Sequence, residues 1–217
     1  MPNHLRATRP AHLCIAAAAL LGIRAACHAE IVGVAGGTDA PPPTLGPYTM
    51  TLFPPDDRPL YELVDDVPSP LGGQIDFSVP LDHVRVGSGW GWWGHDYLGD
   101  VYYRTYPVYT VTLDLPEETR AFYFYASHVL DIPATITAVA DDGTTVWQAV
   151  EWYGAAAYFG FYQDDTSGPP IEWIEVSCLA AGSVAVGEFG IAIPTPGALV
   201  LLGVAGIGAG SRRRRRE

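Results

Sequence analysis

The chain has 217 residues, of which 24 are acidic and 12 are basic, so its formal net charge at neutral pH is −12. Binding to nucleic acid or to an anionic membrane requires lysine and arginine to neutralise phosphates, so this charge balance argues against both kinds of partner. The length is sufficient for one domain with a sizeable hydrophobic core.

The N-terminus has the three parts of an export signal. Arg6 and Arg9 form a basic region, residues 13–23 are an apolar core, and Cys27-His28-Ala29 places small residues before a cleavage site. We predict a signal-peptide helix over residues 1–29 with cleavage after Ala29, which makes the Sec translocon and signal peptidase the first partners. Lipoprotein processing at Cys27 is the alternative, and it is disfavoured because Arg24 stands where an aliphatic residue is needed.

Removing both chain ends makes the remaining chain much more acidic. Residues 30–193 contain 23 acidic and four basic side chains, a net charge of −19. Such a surface is strongly solvated or recruits divalent cations. Adjacent aspartates occur at four places, but none follows the Asp-x-Asp-x-Asp-Gly pattern of a calcium loop. We therefore predict no cofactor, no dedicated metal site and at most weak calcium binding.

The mature chain begins with a predicted flexible lead-in and continues as a series of short strands. Residues 30–47 contain Gly36-Gly37 and three consecutive prolines, a composition typical of a linker. In residues 48–193, runs rich in β-branched and aromatic residues recur between Gly, Pro and Asp. The predicted strands are 48–53, 74–79, 83–86, 108–113, 121–126, 134–140, 144–150, 157–162, 171–178 and 183–192.

The clearest local signal is a hairpin around Asp141-Asp142-Gly143. Glycine supplies the left-handed residue that a three-residue loop requires, and strand-like runs lie on both sides of this loop. No helix of ordinary length with an apolar stripe is predicted between residues 30 and 193. The pattern predicts an all-β fold, a single jelly-roll-like β-sandwich over residues 48–193.

The residues needed for catalysis are sparse, so we predict that the protein is not an enzyme. The mature chain keeps three histidines, His83, His95 and His128, and none fits the spacing of a zinc helix. It has no Gly-x-Ser-x-Gly motif. Its one cysteine, Cys178, ends an apolar-alternating run, which predicts a buried, inert thiol.

One loop suggests binding. Trp90, Trp92, Trp93 and Tyr97 lie among glycines between residues 87 and 97. Aromatic rings on a glycine-rich loop present flat faces that stack on sugar rings, which makes these four residues candidate glycan contacts. The alternative interpretation is that the tryptophans cover one open end of the sandwich, because burial of such a ring contributes about 2–3 kcal/mol.

The C-terminus predicts a temporary membrane tether. Pro194-Thr195-Pro196-Gly197 forms an extended, accessible break. The apolar run that follows, residues 198–210, predicts a transmembrane helix that is short compared with the roughly 20 residues of an ordinary span. Arg212, Arg213, Arg214, Arg215 and Arg216 then hold the C-terminus in the cytoplasm. An ordinary C-terminal anchor is the alternative, and it should be longer and contain less glycine.

This tail resembles the PEP-CTERM sorting signal, which has a Pro-Glu-Pro-like motif, a short transmembrane stretch and a terminal arginine cluster. Thr195 stands where that family most often has Glu. The resemblance implies recognition in the inner membrane by an exosortase, a membrane transpeptidase or protease, and removal of the tail during export. It also implies a final location at the cell surface or outside the cell, often in bacteria that make exopolysaccharide.

The second half of the domain resembles the β-sandwich domain carried by many PEP-CTERM proteins. The resemblance covers roughly residues 108–193 and depends on the segments around Phe122, the Asp-Asp-Gly hairpin and the closing strand. In related sequences the last strand runs into an Asp-Asn pair, whereas Ala192-Ile193 occupies that place here.

Three classes of function remain after these observations. The favoured class is an exported, non-enzymatic surface or matrix protein whose β-sandwich is a structural or adhesive unit associated with exopolysaccharide. The alternative is a glycan-binding module that uses the aromatic loop. A polysaccharide hydrolase is the third, and it requires two carboxylates that converge across a cleft.

Overall fold

The computed structural model describes residues 30–104, 107–152, 155–165 and 167–194, and these residues form an all-β fold. Within them there is no helix, and no segment could cross a membrane as a helix. The all-β prediction is confirmed for this part of the chain. The predicted signal peptide and the sorting signal from Thr195 onward lie outside the described residues, and Pro194 is exposed at their end.

Fifteen strands account for the fold. The strands of the first half are β1 (Ile31–Gly37), β2 (Thr44–Leu45), β3 (Tyr48–Thr49), β4 (Thr51–Leu52), β5 (Leu63–Pro68), β6 (Gln74–Val86), β7 (Gly89–Trp90) and β8 (Asp100–Arg104). The strands of the second half are β9 (Thr110–Asp114), β10 (Ala121–Ser127), β11 (Ala134–Ala140), β12 (Thr145–Val150), β13 (Ala157–Gln163), β14 (Trp173–Ser177) and β15 (Val184–Ala192).

Thirteen of these strands form one large sheet that is nearly closed. Its order is β1-β13-β10-β15-β8-β6-β9-β14-β11-β12, and β4, β5 and β7 pair beside this path. Hydrogen bonds that involve side chains connect β1, at one end of the sheet, to the loop before β12, at the other end. Ile31 N donates to Asp142 Oδ2 at 3.0 Å, and Thr144 Oγ1 donates to Ile31 O at 3.0 Å. Strand β6 divides this sheet into two halves, one formed by β1, β13, β10, β15 and β8 and the other by β9, β14, β11 and β12. The inward side chains of these two halves of the sheet pack together in one core, in which Phe124 and Phe159 of the first share a cluster with Ile136 of the second.

Strand β6 joins the two halves. Its first part pairs with β9 at Phe77, and its second part pairs with β8 from Asp82 to Val84. Pro80 falls between these two pairings, where the missing N–H costs no ladder hydrogen bond. The two strands predicted at 74–79 and 83–86 are therefore one continuous strand.

The predicted hairpin is confirmed. Strands β11 and β12 are antiparallel partners from Ala134 opposite Val150 to Val139 opposite Thr145. Gly143 has φ +89° and donates its N–H to Ala140 O at 2.8 Å. A side chain at this φ is strained, which explains why the loop carries glycine.

The lead-in predicted over residues 30–47 differs from the structure. Strand β1 lies inside that range and pairs antiparallel with β13, from Ile31 opposite Gln163 to Gly37 opposite Tyr158. Gly36, one of the two glycines that suggested a linker, serves close packing instead, because a Cβ there would lie 2.7 Å from Tyr158 Cδ1. The folded domain therefore begins at β1.

Candidate glycan-binding surface

The aromatic loop between β6 and β8 folds over the outer face of the sheet. Trp93 is fully buried and Trp90 is 6% exposed, whereas Trp92 is 41% exposed. Tyr97 is partly buried. The loop therefore turns alternate tryptophans inward and outward.

The inward tryptophans form a second core with the sheet beneath them. Trp90 meets Trp93 edge to face at 5.6 Å between ring centroids and meets Tyr103 at 5.3 Å. The same cluster contains Tyr123, Tyr125 and Tyr158, which point outward from β10 and β13. This placement corrects the prediction that Trp90 and Trp93 contact a glycan, because their rings are inside the protein. It agrees with the covering role, although they cover a face of the sheet rather than an open end.

Glycines allow the loop to lie close to the neighbouring segments. Gly94 has φ +104°, and a Cβ there would lie 3.6 Å from Thr38 O and 3.7 Å from Ala156 O. The loop therefore rests against residues just before β13. This contact brings Trp92 next to a residue far away in sequence.

That residue is Trp152, and the two rings stack. Their centroids are 5.2 Å apart with an interplanar angle of 14°, and both side chains are 41% exposed. Trp152 O accepts the N–H of buried Ala155 at 3.1 Å. We call Trp92 and Trp152 the tryptophan pair. It offers an exposed aromatic surface next to the buried rings of Trp90 and Trp93.

An acid and an imidazole hold the far end of the loop. His95 Nε2 lies 2.7 Å from Glu188 Oε1, and the side chains are 13% and 9% exposed. Glu188 sits at a bulge in β15 with φ +52°, where the register with β10 shifts between Tyr123 and Tyr125. Burial raises the pKa of Glu188 to about 8, and burial also lowers the pKa of His95. Near neutral pH the neutral forms of both groups are therefore favoured, and one proton is shared in the hydrogen bond between Glu188 Oε1 and His95 Nε2.

The predicted contact Tyr97 faces inward. It lines a small cavity of about 140 Å³ together with Asp100, Tyr102 and Glu188, and its hydroxyl donates to Asp100 O at 3.3 Å. Burial raises its pKa. The structure thus brings Trp92 to the surface, but it places Tyr97 in the supporting layer.

Next to this cavity, Asp100 is the centre of a buried polar network. Its Oδ1 lies 3.0 Å from His83 Nε2 and accepts Arg85 Nε at 2.8 Å, while its Oδ2 accepts Asp56 N at 2.7 Å. Burial acts to raise the pKa of Asp56, but hydrogen bonds from Arg58 and Tyr102 outweigh it and lower the pKa to about 2. These contacts fasten the segment before β5 to β6 and β8.

Several of the acidic pairs stabilise turns. Asp142 accepts the N–H groups of Ile31 and Thr144, and Asp141 Oδ2 accepts Glu172 N at 2.9 Å. Asp165 accepts Ser167 N at 2.9 Å. Over the described part of the chain, no three His, Cys, Asp or Glu side chains group as metal ligands. Weak calcium binding stays a prediction.

The one cysteine in the described part of the chain lies where the sequence predicts it. Cys178 is fully buried and unpaired, and burial raises the pKa of its thiol. A thiol in this state has little thiolate character, so it is a poor nucleophile.

No protein-family model matches the chain, and no curated protein matches it. Among solved structures, the C-terminal CBM6 of LamC, a marine laminarinase from Zobellia galactanivorans, matches with 15% sequence identity and a TM-score of 0.12. That match covers 59% of this chain and 99% of the other chain. At this TM-score the likeness carries no argument about fold or function.

Proposed function

We propose that this chain is an exported, non-enzymatic protein of the cell surface or extracellular matrix, whose jelly-roll-like β-sandwich adheres to exopolysaccharide. The glycan contact is the tryptophan pair. Export follows from the leader at residues 1–29, and an exosortase removes the tail after the Pro194–Gly197 region. The inner-membrane tether is therefore transient.

The single observation that carries this proposal is the exposure of the stacked tryptophans. The exposure of two stacked indoles to water is unfavourable, because removal of apolar area from water contributes about 25 cal/mol of free energy per Å². Sugar rings have apolar faces that cover such surfaces, while their hydroxyls remain solvated. The buried layer of Trp90, Trp93 and the His95–Glu188 contact holds the pair in place before any ligand arrives, which reduces the ordering cost of binding.

The charge of the domain restricts the glycan class. A net charge of −19 over residues 30–193 repels carboxylated and sulfated polysaccharides. Two of the four arginines in that range, Arg58 and Arg85, are already bound to Asp56 and Asp100. We therefore expect a neutral polysaccharide.

The binding proposal predicts a loss of affinity in the double variant Trp92→Ala/Trp152→Ala. On an array of neutral glycans, we expect it to bind at least about tenfold more weakly than the wild type, equivalent to about 1.4 kcal/mol. The array is run with and without calcium, which also tests the predicted weak calcium binding. The matched control is Leu98→Ala, because Leu98 is 72% exposed in the same loop but is not aromatic. Equal affinity of the double variant and the wild type would refute the assigned contact.

The sorting proposal predicts a shortened C-terminus. Mass spectrometry of the protein recovered from the surface or secreted fraction of its native host should find a chain that ends near Pro194–Gly197. Recovery of an intact end at Arg216-Glu217 in that fraction would contradict exosortase processing.

A further inference from the structure

A second exposed tryptophan surface lies on the outer face of β12. Trp147 of β12 is 68% exposed, more than either member of the tryptophan pair. It pairs directly with Thr137 of β11, and Thr137 pairs on its other side with Ser177 of β14. Ser177 in turn pairs with Thr110 of β9. Directly opposite residues point to the same face, so these four side chains form one row across four strands.

The row is long and carries hydroxyl groups. With neighbouring strands about 4.8 Å apart, four strands span about 14 Å, which exceeds the width of a single sugar ring. A ring stacked on Trp147 would leave the rest of the chain directed over Thr137 and Ser177. Hydroxyl side chains both donate and accept hydrogen bonds, as the hydroxyls of a sugar do.

An open groove adjoins this row and shares Thr137 and Ser177 with it, while Trp147 lies two residues before Ala149, which lines the groove. It has a volume of about 440 Å³, and all eight of its lining side chains are uncharged, among them Thr135, Thr137, Ser177 and Leu179. In a domain whose net charge is −19, a lining without a single ionisable group sets this surface apart from its surroundings. A charged ligand could form no ion pair with the side chains that line this groove, whereas a neutral ligand needs none.

The composition of the groove favours a glycan over a protein partner. Protein interfaces have cores rich in Tyr, Trp, Phe, Met and Arg, and they are depleted in Ser and Ala. This groove has Ala134, Ala149 and Ala180 beside its hydroxyl residues. Small side chains leave room for a flat chain to lie across the strands.

We propose that the outer face of β9, β14, β11 and β12 is a second binding site for a neutral, extended polysaccharide, with Trp147 as its stacking residue. This inference rests on the proposed function and deepens it. Trp147 lies on the outer face of β12, and Trp152 of the tryptophan pair follows two residues after the end of that strand, so the Cα atoms of Trp147 and Trp152 are at most about 18 Å apart. Two such sites hold one extended chain or bridge two chains, and the gain in avidity needs no further contact.

The test is native affinity electrophoresis of the full-length protein in gels with graded concentrations of hydroxyethylcellulose, laminarin or galactomannan. Alginate serves as the anionic control. The variants are Trp147→Ala, Trp147→Phe, Trp92→Ala/Trp152→Ala and the combination of all three alanine changes. Turbidity of a mixture of protein and soluble polysaccharide measures cross-linking. Trp147 is exposed, so Trp147→Ala should fold normally, with a thermal unfolding midpoint close to that of the wild type.

We expect Trp147→Ala to weaken retention at least about tenfold and to abolish turbidity, with partial rescue by Trp147→Phe. Wild-type retention and turbidity in Trp147→Ala, together with a loss in the double variant, would overturn the second site and leave the first in place. The reverse result would overturn the tryptophan pair and support the second site. Unchanged retention of Trp147→Ala with a loss of self-association in size-exclusion chromatography would show that this face binds protein instead. Wild-type protein that no neutral polysaccharide retains would overturn both sites.

Discussion

The free energy of unfolding of the Trp93→Ala variant is expected to fall by about 3–5 kcal/mol. Trp93 is fully buried, and its ring contacts Trp90 edge to face at 5.6 Å. It also lies against the backbone of β15, where a Cβ on Gly187 would be 3.4 Å from Trp93 Cζ2. Removal of the indole leaves a cavity between the loop and the sheet. Urea unfolding followed by far-UV circular dichroism measures the change.

The neighbouring residue provides the matched control for this prediction. Trp92 points outward, and its ring is only partly covered by the stacked ring of Trp152. Trp92→Ala should therefore lower the free energy of unfolding by only about 1 kcal/mol. Equal losses in the two variants would contradict the alternation of inward and outward rings. That result would also remove the structural base on which the tryptophan pair depends.

The stability of the protein is expected to fall as the pH rises between about 6.5 and 8. The ordinary pKa of a glutamate is 4.5, and burial raises the pKa of folded Glu188 to about 8. Over this range the folded state therefore keeps a proton that the unfolded state has already released, and gives it up as the pH approaches 8. The stabilisation is fully present below pH 4.5 and is lost as the pH rises through 8.

The size of this effect depends on which partner titrates. Each pKa unit is worth about 1.4 kcal/mol, so Glu188 alone accounts for at most about 5 kcal/mol between pH 4.5 and 8. His95 acts in the opposite sense, because its lowered pKa makes the folded state lose stability as the pH falls below 6.5. Above pH 6.5 only the Glu188 contribution remains of these two, about 2 kcal/mol up to pH 8. The other groups against His95 are the rings of Tyr97 and Tyr125 and the charges of Asp96 and Asp39.

Chemical denaturation at several pH values tests this dependence. Glu188 Oε2 has no hydrogen-bond partner in the described part of the chain, which favours the neutral acid. A Glu188→Gln variant keeps a donor toward His95 Nε2 and cannot ionise. It should unfold with a nearly constant free energy between pH 6.5 and 8.5 and should be more stable than the wild type at the upper end. The same slope in both proteins would contradict a buried, protonated Glu188.

Local sequence patterns predict most of the strands but miss β1, β2, β5, β7 and β8, and for β5 and β1 the physical reason is clear. Alternation and turn chemistry suffice for β11, β12 and the loop between them, because the two strands that pair are neighbours in sequence. Strand β5 is missed because Asp65 and Asp66 interrupt its apolar residues, and they are tolerated at the edge next to Arg58. Strand β1 is missed because its glycines are typical of linkers, and only the packing of Val146 and Tyr158 shows their use.

The candidate sites are less accessible to sequence reasoning. The glycine-rich loop indicates an aromatic cluster, but nothing in it distinguishes Trp92 from Trp90 and Trp93. Trp152 joins the site through a tertiary contact across sixty residues of chain. The exposure of Trp147 could have been predicted from the sequence. Val146 and Val150 are apolar and lie on the inward face of β12, so the alternation of the strand places Trp147 on its outward face.

The most direct test of glycan adhesion through surface tryptophans is the affinity of the full-length protein for the exopolysaccharide of its native host. The measurement compares the wild type with the triple variant Trp92→Ala/Trp147→Ala/Trp152→Ala by native affinity electrophoresis. Separate thermal unfolding curves first establish that both proteins are folded. We predict retention of the wild type and free migration of the triple variant. Equal retention of the two proteins, or free migration of both, would contradict this function.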